Sequence, residues 1–313
     1  MAKPRRRTAS SRRDAKFERR SARNRVVILV MAILMGLSLL AVPLTLLLER
    51  GGDAAASDDP GADDVAAALS DGAAGAADVD PCPPSGGDVP DVDSRVYDES
   101  FGVTVEAGAE YEAVLDTTCG EIRIALDAEN APLAVSNLVE LADDGYYEGV
   151  VFHRVVPGFV VQVGDPAGTG CGQDDCTPEG FDDDAPTYPG YTFADELTTA
   201  EALFEDVRDE QLRELIAGGV VDEADLDDET RQLVPGGYPR GVVAMANAGP
   251  DTNGSQFFIT QADPTTLPGP SFTVLGRVID GMDVVDAIAS VPTDARDRPL
   301  DDVVVRRVEI DVR

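Results

Sequence analysis

The sequence predicts a mainly β domain, built as a closed antiparallel barrel, in residues 95–313. Short runs rich in valine, isoleucine and phenylalanine are separated by turn residues along this region. Two helical patterns and one longer insertion interrupt these runs, without the regular strand-helix alternation that a parallel sheet requires. Many short strands with few helices are typical of a closed antiparallel barrel. The region is also long enough to bury one compact core.

The elements of the barrel are predicted in chain order. Residues 111–127 alternate around a Thr-Cys-Gly turn and so predict a hairpin. A helix follows, with Asn130 as its cap, Pro132 in its first turn and Gly145 at its end. Further strands are expected at 150–155, 160–163, 241–246, 256–260, 273–278 and 303–310, and a short helix at 282–289.

Residues 197–237 do not fit the strand pattern. They open with Thr-Thr-Ala-Glu, a capping box, and continue with apolar residues at helical spacing up to Gly218. A second acidic turn precedes a Pro-Gly-Gly sequence at 235–237. We interpret this segment as a helical insertion in a barrel loop, which either packs on the barrel as a lid or offers a surface to a partner or substrate.

The N-terminal part of the chain predicts a membrane anchor. Residues 26–48 contain no charged side chain, and as a helix they would be about 34 Å long, enough to cross a bilayer. A cleaved signal peptide and a buried soluble helix are the alternatives. Residues 1–25 contain 11 basic and two acidic residues, which places this arm in the cytoplasm and the remainder of the chain outside.

Residues 49–94 predict a disordered linker between this anchor and the barrel. They consist mainly of alanine, aspartate, glycine and proline, which bury too little apolar surface to offset the entropy of ordering. The formal net charge of the whole chain is -34, so we expect no nucleic-acid partner outside the basic arm. The positive-inside rule explains that arm without one.

The four cysteines are expected on the oxidising side of the membrane. Four cysteines allow three pairings, and we favour Cys82 with Cys119 and Cys171 with Cys176. Zinc is a poor alternative, because a lone Cys-x4-Cys lacks the second pair of ligands that zinc requires.

The residue inventory excludes several kinds of catalytic site. A Ser-His-acid triad would have to use His153, the one histidine of the chain, and no Gly-x-Ser-x-Gly motif is present. A histidine-rich metal site is impossible. Acidic runs such as DEADLDDE lack the glycine and spacing of a calcium loop. We expect no metal, and we interpret these runs as solvated surface.

Two segments combine apolar and polar side chains on one face of a strand. They are VFHRVVPGFVVQVGD, residues 151–165, and VVAMANAGPDTNGSQFFIT, residues 242–260. Alternation places Gln162 beside Val160 and Gln256 beside Phe258, with their neighbours on the core side. An apolar patch with a few amides and one guanidinium suits an extended peptide that carries a small apolar ring.

These segments resemble the two signature segments of the cyclophilin family of peptidyl-prolyl isomerases. GDPAGTG, YTFADE and GRVIDGMDVVDAI are also similar to family segments, and the resemblance covers about residues 110–310 apart from the insertion. It implies an eight-stranded barrel capped by two helices, with a proline-binding groove on its outer face. It also implies cis-trans isomerisation of Xaa-Pro bonds without a cofactor.

The resemblance carries roles to individual residues. It implies that Arg154 is the catalytic arginine and that Gln162 and Gln256 hydrogen-bond the substrate around it. His153 would either form a structural hydrogen bond or support the active site and the bound substrate. The substrate-binding residues implied by the resemblance are Phe159, Val160 and Phe258 in the pocket, Leu267 closing it, and Ala246 and Asn247 binding the residues before the proline.

The chain departs from the family at three positions of the groove. Val160 replaces a methionine, Thr266 stands where several members have tryptophan, and no histidine occurs near Phe272. Because the tryptophan is associated with drug binding, these departures put cyclosporin affinity in doubt more than isomerisation. The loop at 171–190 is longer and more acidic than in the family, which would favour basic substrates.

The sequence therefore predicts a membrane-tethered isomerase that acts on Pro-containing polypeptides in protein folding. We expect a single-pass, monomeric protein of the cell membrane, with a cytoplasmic N-terminus and an extracytoplasmic catalytic domain. The alternatives are a catalytically weak module that binds Pro-containing envelope proteins through its insertion, and a purely structural spacer. Arg154 and its pocket favour the enzyme.

Overall fold

The structure is a computed structural model that describes the predicted barrel region with several gaps. The described residues are Cys82, Pro90, Val92, 95–170, 189–223, Leu226, Arg231, 234–265, Leu267 and 269–313. The predicted arm at 1–25, the predicted span at 26–48 and the pair Cys171 and Cys176 lie outside them. No helix in the described part of the chain is long and apolar enough to cross a membrane.

Eight strands and three helices form the described chain. The strands are β1 (Tyr111–Thr117), β2 (Gly120–Leu126), β3 (Arg154–Val156), β4 (Val160–Val163), β5 (Val242–Met245), β6 (Phe257–Thr260), β7 (Val274–Asp280) and β8 (Val305–Val312). The helices are α1 (Pro132–Asp143), α2 (Thr198–Ala217) and α3 (Met282–Ala289). All eight strands belong to one compact unit of residues 80–211 and 235–313, and residues 212–234 fall outside it.

The strands form one antiparallel sheet in the order β3-β4-β6-β5-β7-β2-β1-β8. The predicted mainly β fold and its eight antiparallel strands are confirmed. The closure differs from the prediction, because the described edge strands β3 and β8 share no ladder. The residues just before them meet at one antiparallel bridge between Val151 and Val304. The sheet is therefore a curled half-barrel whose two edges meet through the backbone hydrogen bonds between residues 149–152 and 303–305.

The core fills the concave side of this sheet. Val155, Val161, Val243 and Ile259, at most 1% exposed, point into it from four neighbouring strands. Helix α1 covers the core with the apolar stripe that the sequence predicts, since Ala134, Leu138 and Leu141 are all buried. The core-facing side chains of the strands and the apolar stripe of α1 therefore pack together in one cluster.

Helix α1 begins without the predicted side-chain cap. Its N-cap is Ala131, and the Asn130 side chain instead donates to Oδ1 of Asp127. The first amides of the helix find their acceptor far along the chain, because Leu133 N and Ala134 N donate to the Glu196 carboxylate at 3.1 and 3.0 Å. A carboxylate suits the positive end of a helix. The prediction of Asn130 was wrong because it considered only local partners.

Helix α2 begins where the Thr-Thr-Ala-Glu pattern predicts it. Glu201 N donates to Leu197 O in its first turn, and the Thr199 hydroxyl donates to Oδ2 of Asp127 at 2.7 Å. Its first half lies on the convex side of the sheet, where Ala200 and Phe204 are buried. This packing agrees with the lid interpretation of the insertion. Most of the predicted second helical turn lies outside the described residues.

A disulfide joins Cys82 to Cys119 in the turn between β1 and β2. This is one of the two predicted pairs. Cys82 lies within the predicted linker, yet it is buried against the core. The linker is therefore attached to the barrel at Cys82, upstream of the expected boundary at residue 95.

The imidazole of His153 is buried next to the core. It is 5% exposed, and neither ring nitrogen has a hydrogen-bond partner among the described residues. Burial, together with the smaller effect of the charges of Arg298 and Arg154, lowers the pKa of His153 from 6.5 to about 3. His153 is thus a neutral buried ring, and it forms no structural hydrogen bond with the part of the chain that the structure describes.

Removing the Cys82–Cys119 disulfide should destabilise the domain. The bond spans 37 residues, so its loss should cost about 3–4 kcal/mol, mainly through the freedom that the unfolded chain regains. Urea unfolding of the full chain with Cys82→Ser and Cys119→Ser together would measure this loss. A stability equal to that of the wild type would contradict the structural role of the bond.

His153 should make stability depend on pH in a way that one substitution removes. Its pKa is about 3 when folded and 6.5 when unfolded, so between these values the unfolded chain binds the extra proton. Stability from this group is therefore complete above pH 6.5 and declines as the pH falls, by at most about 1.4 kcal/mol per pH unit.

His153→Phe should abolish this contribution, because an apolar ring has no charged form. Urea unfolding at several pH values from 7.5 to 4.5 should show the wild type losing more stability than the variant. Carboxylates titrate in both proteins and cancel in the comparison. Parallel pH profiles for the two proteins would refute the buried neutral state of His153.

Candidate active site

Four residues form a row across the convex face of the sheet. Arg154 of β3 pairs with Gln162 of β4, Gln162 pairs with Phe258 of β6, and Phe258 pairs with Ala244 of β5. Directly paired residues on neighbouring strands project to the same side of a sheet. The row therefore places a guanidinium, an amide and an aromatic ring side by side.

The convex face carries a second apolar cluster, here called the outer cluster. Its buried members are Val160, Ala200, Phe204, Tyr238, Val242, Ala244, Phe258 and Val274, and its half-buried members are Phe159, Leu203, Ala246, Leu267 and Phe272. The predicted pocket residues Phe159, Val160, Phe258, Ala246 and Leu267 all lie in this cluster. The structure thus brings together residues that are up to 108 positions apart, from Phe159 to Leu267.

Arg154 projects from the edge strand onto this face and remains accessible. Its side chain is 39% exposed, and its Nε lies 3.8 Å from Oδ2 of Asp297. The guanidinium carbon lies 5.8 Å from the centre of the Phe159 ring. A half-exposed ion pair of this length restrains the side chain only weakly. The guanidinium is therefore able to donate hydrogen bonds to a ligand on the outer face.

The two glutamines next to Arg154 orient each other. Nε2 of Gln162 donates to Oε1 of Gln256 at 3.0 Å, and Gln256 is only 7% exposed. Gln256 O also accepts a hydrogen bond from Ala246 N at 2.8 Å, just beyond the ends of β5 and β6. The side-chain amides of Gln162 and Gln256 therefore lie between Arg154 and the loop that begins after Ala246.

Asn247 begins a loop that forms the rim of the groove. Its side chain donates to Ser271 O at 2.9 Å and is thereby held on the outer side of the sheet. Among the described residues, neither backbone polar group of Asn247 has a hydrogen-bond partner. They are therefore available to the backbone of an extended peptide. A cleft of about 110 Å³ adjoins them, lined by Gln162, Gly170, Thr192, Ala246, Asn247, Ala248, Thr252, Gly254, Ser255 and Gln256.

Buried polar groups hold this rim from behind. Asn137 of α1 donates to Gly254 O at 2.9 Å, and the Tyr147 hydroxyl donates to Ser255 O at 3.1 Å. The Ser255 hydroxyl in turn donates to Gly164 O at 2.7 Å. Sequence analysis missed these supporting residues. A polar asparagine on the apolar stripe of α1 was the available signal.

Asp165 shapes the opposite rim. Its carboxylate is fully buried and accepts hydrogen bonds from the backbone amides of Ala167, Thr169 and Gly170. Burial raises the pKa of Asp165, although these hydrogen bonds act in the opposite direction. A Cβ added at Gly170 would lie 3.1 Å from the ring of His153. His153 therefore supports this loop from below and does not line the groove.

Phe272 and Tyr238 complete the apolar end of the site. The Phe272 ring meets the Phe258 ring edge to face at 5.3 Å. The Tyr238 hydroxyl donates to Phe272 O and accepts from Phe272 N, both at 3.3 Å. The sequence analysis noted Phe272 only because many family members have a histidine near this position, and it did not predict a role for Tyr238. Thr266 lies outside the described residues.

Comparisons with known proteins show which family the chain belongs to. The family model described as cyclophilin type peptidyl-prolyl cis-trans isomerase/CLD matches residues 113–310. Peptidyl-prolyl cis-trans isomerase-like 1 of Aspergillus fumigatus is 34% identical over 199 residues, which are 64% of this chain and 94% of the relative. The protein of the same name from Rhizopus delemar is 38% identical over 60% of this chain and 85% of its own length.

Peptidyl-prolyl cis-trans isomerase CYP18-2 of Arabidopsis thaliana is 34% identical over 65% of this chain and 95% of its own length. A cyclophilin type peptidyl-prolyl cis-trans isomerase of Cryptosporidium parvum, known from a crystal structure, is 26% identical. The structural alignment covers 98% of that chain and 64% of this one, and the TM-score is 0.43. Because the family model matches most of the barrel, the chain belongs to the cyclophilin-type peptidyl-prolyl cis-trans isomerase family.

Proposed function

We propose that this protein catalyses rotation about Xaa-Pro bonds in extracytoplasmic proteins during their folding, while residues 26–48 hold it at the cell membrane. The observation that carries the catalytic part is the row of Arg154, Gln162 and Phe258 on the outer face. It sets a permanently charged donor beside an apolar pocket, which is the arrangement that a prolyl peptide bond requires.

The substrate binds as an extended chain over the outer face. Its prolyl ring enters the pocket formed by Phe159, Val160 and Phe258, and Leu267 closes that pocket. Burial of the apolar ring favours binding. The residue before the proline lies along Ala246 and hydrogen-bonds the free backbone groups of Asn247.

Arg154 accelerates the rotation by binding the twisted bond more tightly than the planar one. The barrier of about 18–20 kcal/mol arises from amide resonance, which the twist interrupts. The prolyl nitrogen then regains its lone pair and accepts a hydrogen bond from the guanidinium. Because the planar amide nitrogen offers no such lone pair, the interaction is specific to the transition state.

The two glutamines keep the substrate in place while the bond rotates. The Gln162–Gln256 hydrogen bond orients both amides towards the position that the substrate occupies beside Arg154. Preoriented amides cost little to align when the peptide binds. Rotation breaks no covalent bond and transfers no proton, so the mechanism requires no cofactor.

Two features support a location outside the cytoplasm. The Cys82–Cys119 disulfide is of a kind that persists in oxidising compartments. The basic arm before the apolar run follows the orientation rule for single-pass membrane proteins. The linker then separates the catalytic domain from the bilayer, and Cys82 marks the point where it joins that domain.

Arg154→Ala should abolish most of the isomerase activity. Removing a preorganised donor to the transition state should lower kcat/KM about a hundredfold. Arg154→Lys should recover only part of the loss, because a lysine lacks the planar donor fork of arginine. The cis-to-trans rate of a short Xaa-Pro peptide with the full chain in detergent would measure both effects.

Arg307→Ala is the matched control for this experiment. Arg307 is an exposed arginine of β8 that pairs with Glu309, away from the row that contains Arg154. Its removal should leave the rate unchanged. If the folded wild type binds the peptide without accelerating its isomerisation, the protein is instead a binding module for Pro-containing proteins.

Deleting residues 26–48 should release the protein from the membrane. An apolar run of this length inserts favourably into a bilayer. The acidic remainder of the chain has no comparable attraction to the membrane. Fractionation of cells that express the full chain or the deletion would show the difference, with salt and carbonate washes to remove peripheral proteins. Recovery of the full chain in the wash would overturn the proposed anchor.

A further inference from the structure

The insertion helix contacts the face of the sheet that carries the proposed proline pocket. Phe204 of α2 is 4% exposed, and its ring meets the Tyr238 ring edge to face at 4.9 Å. A Cβ added at Gly236 would lie 2.4 Å from Cδ1 of Phe204. Only glycine allows the chain to pass this close to the helix, so the contact between Phe204 and the segment before Tyr238 is tightly packed.

Tyr238 connects the helix to the segment that forms the pocket wall. It is fully buried, and its backbone exchanges two hydrogen bonds with Thr265, at 3.0 and 2.8 Å. Its hydroxyl binds both backbone groups of Phe272. Tyr238 therefore contacts two described residues that flank Leu267 in the sequence, Thr265 and Phe272. The Tyr238 backbone thus positions Thr265, and its side chain positions the backbone of Phe272.

Two described residues next to these contacts, Leu267 and Phe272, form walls of the proposed pocket. Leu267 lies at the edge of the outer cluster, and Phe272 packs edge to face on Phe258. The rings of Phe204, Tyr238, Phe272 and Phe258 thus form a continuous series with centroid separations of 4.9, 6.5 and 5.3 Å. The series begins in the insertion and ends in the row that contains Arg154.

We propose that the insertion helix sets the shape of the proline pocket, with Phe204 and Tyr238 as positioning residues and Phe272 as the wall they hold. This inference rests on the proposed isomerase function and adds a role for the insertion within it. A wall held in place before binding adds to affinity, because the peptide does not have to order it. Arg154 lies at the other end of the row, so chemistry after binding is not expected to change.

Loss of the positioning contacts should change KM and leave kcat almost unaffected. Phe204→Ala and Tyr238→Phe should each raise the KM for a short Xaa-Pro peptide about fivefold or more and leave kcat within about twofold, since they weaken binding of the planar and twisted bond alike. The Kd of the same peptide should rise in parallel. Phe204→Leu, which keeps an apolar side chain at this site, should restore most of the affinity.

Two control variants distinguish positioning from stability. Leu115→Ala opens a cavity in the core behind the sheet, where Leu115 is fully buried, and should destabilise the chain without changing KM. Glu205→Ala alters the exposed neighbour of Phe204 on the same helix and should change neither quantity. Peptide isomerisation, peptide binding and urea unfolding are measured for the full chain in detergent.

The outcomes are distinct. If Phe204→Ala and Tyr238→Phe lose stability as Leu115→Ala does but keep the wild-type KM and Kd, the helix packs for stability alone and the proposal is wrong. If Phe204→Ala does not fold, Tyr238→Phe alone decides in the same way, because Phe204→Leu is expected to resemble the wild type. A wild type that binds the peptide without isomerising it refutes the enzyme, and the Kd values still test the positioning role. A wild type that neither binds nor isomerises it refutes both.

Discussion

The site depends on the register of β3, β4, β6 and β5. Because side chains alternate along each strand, one alignment sends Val155, Val161, Ile259 and Val243 into the core and sends Arg154, Gln162, Phe258 and Ala244 to the convex face. A slip of one residue in any strand would bury the guanidinium or expose a core valine. The same apolar burial that stabilises the sheet therefore also assembles the row of functional side chains.

The groove combines an open charge with rigid surroundings. Arg154 is half-exposed and weakly paired with Asp297, so a ligand can engage it at little cost. The rims beside it are held by buried polar groups, above all Asp165 on one side and Ser255 on the other. Buried groups of this kind keep a single arrangement because breaking any of their hydrogen bonds leaves an unpaired polar atom. The loops thus keep their position while the substrate bond rotates.

The two basic side chains of the adjacent pair His153 and Arg154 have opposite environments. The arginine faces water, where its charge is solvated, and the histidine is buried and neutral with a pKa of about 3. Of the two side chains, only the arginine carries a charged hydrogen-bond donor. The insertion helix adds a further element, because its first half packs on the outer cluster and becomes part of the structure around the pocket.

The mainly β fold, the faces of the strands and the family follow from the sequence alone, because each depends on local alternation, composition or short motifs. The Cys82–Cys119 pair was the favoured one of several possible pairings, and the folded structure established it. The resemblance of two segments to family motifs also assigned Arg154, Gln162, Gln256 and Phe258 to one site. Tertiary structure decided the rest. The cap of α1 comes from Glu196 and not from Asn130, and the edges of the sheet meet through backbone hydrogen bonds just before β3 and β8. Tyr238 reaches Phe272, and Asn137 reaches Gly254, across long stretches of chain. Such contacts follow from which surfaces meet when the chain is folded, and no periodicity within a short segment encodes them.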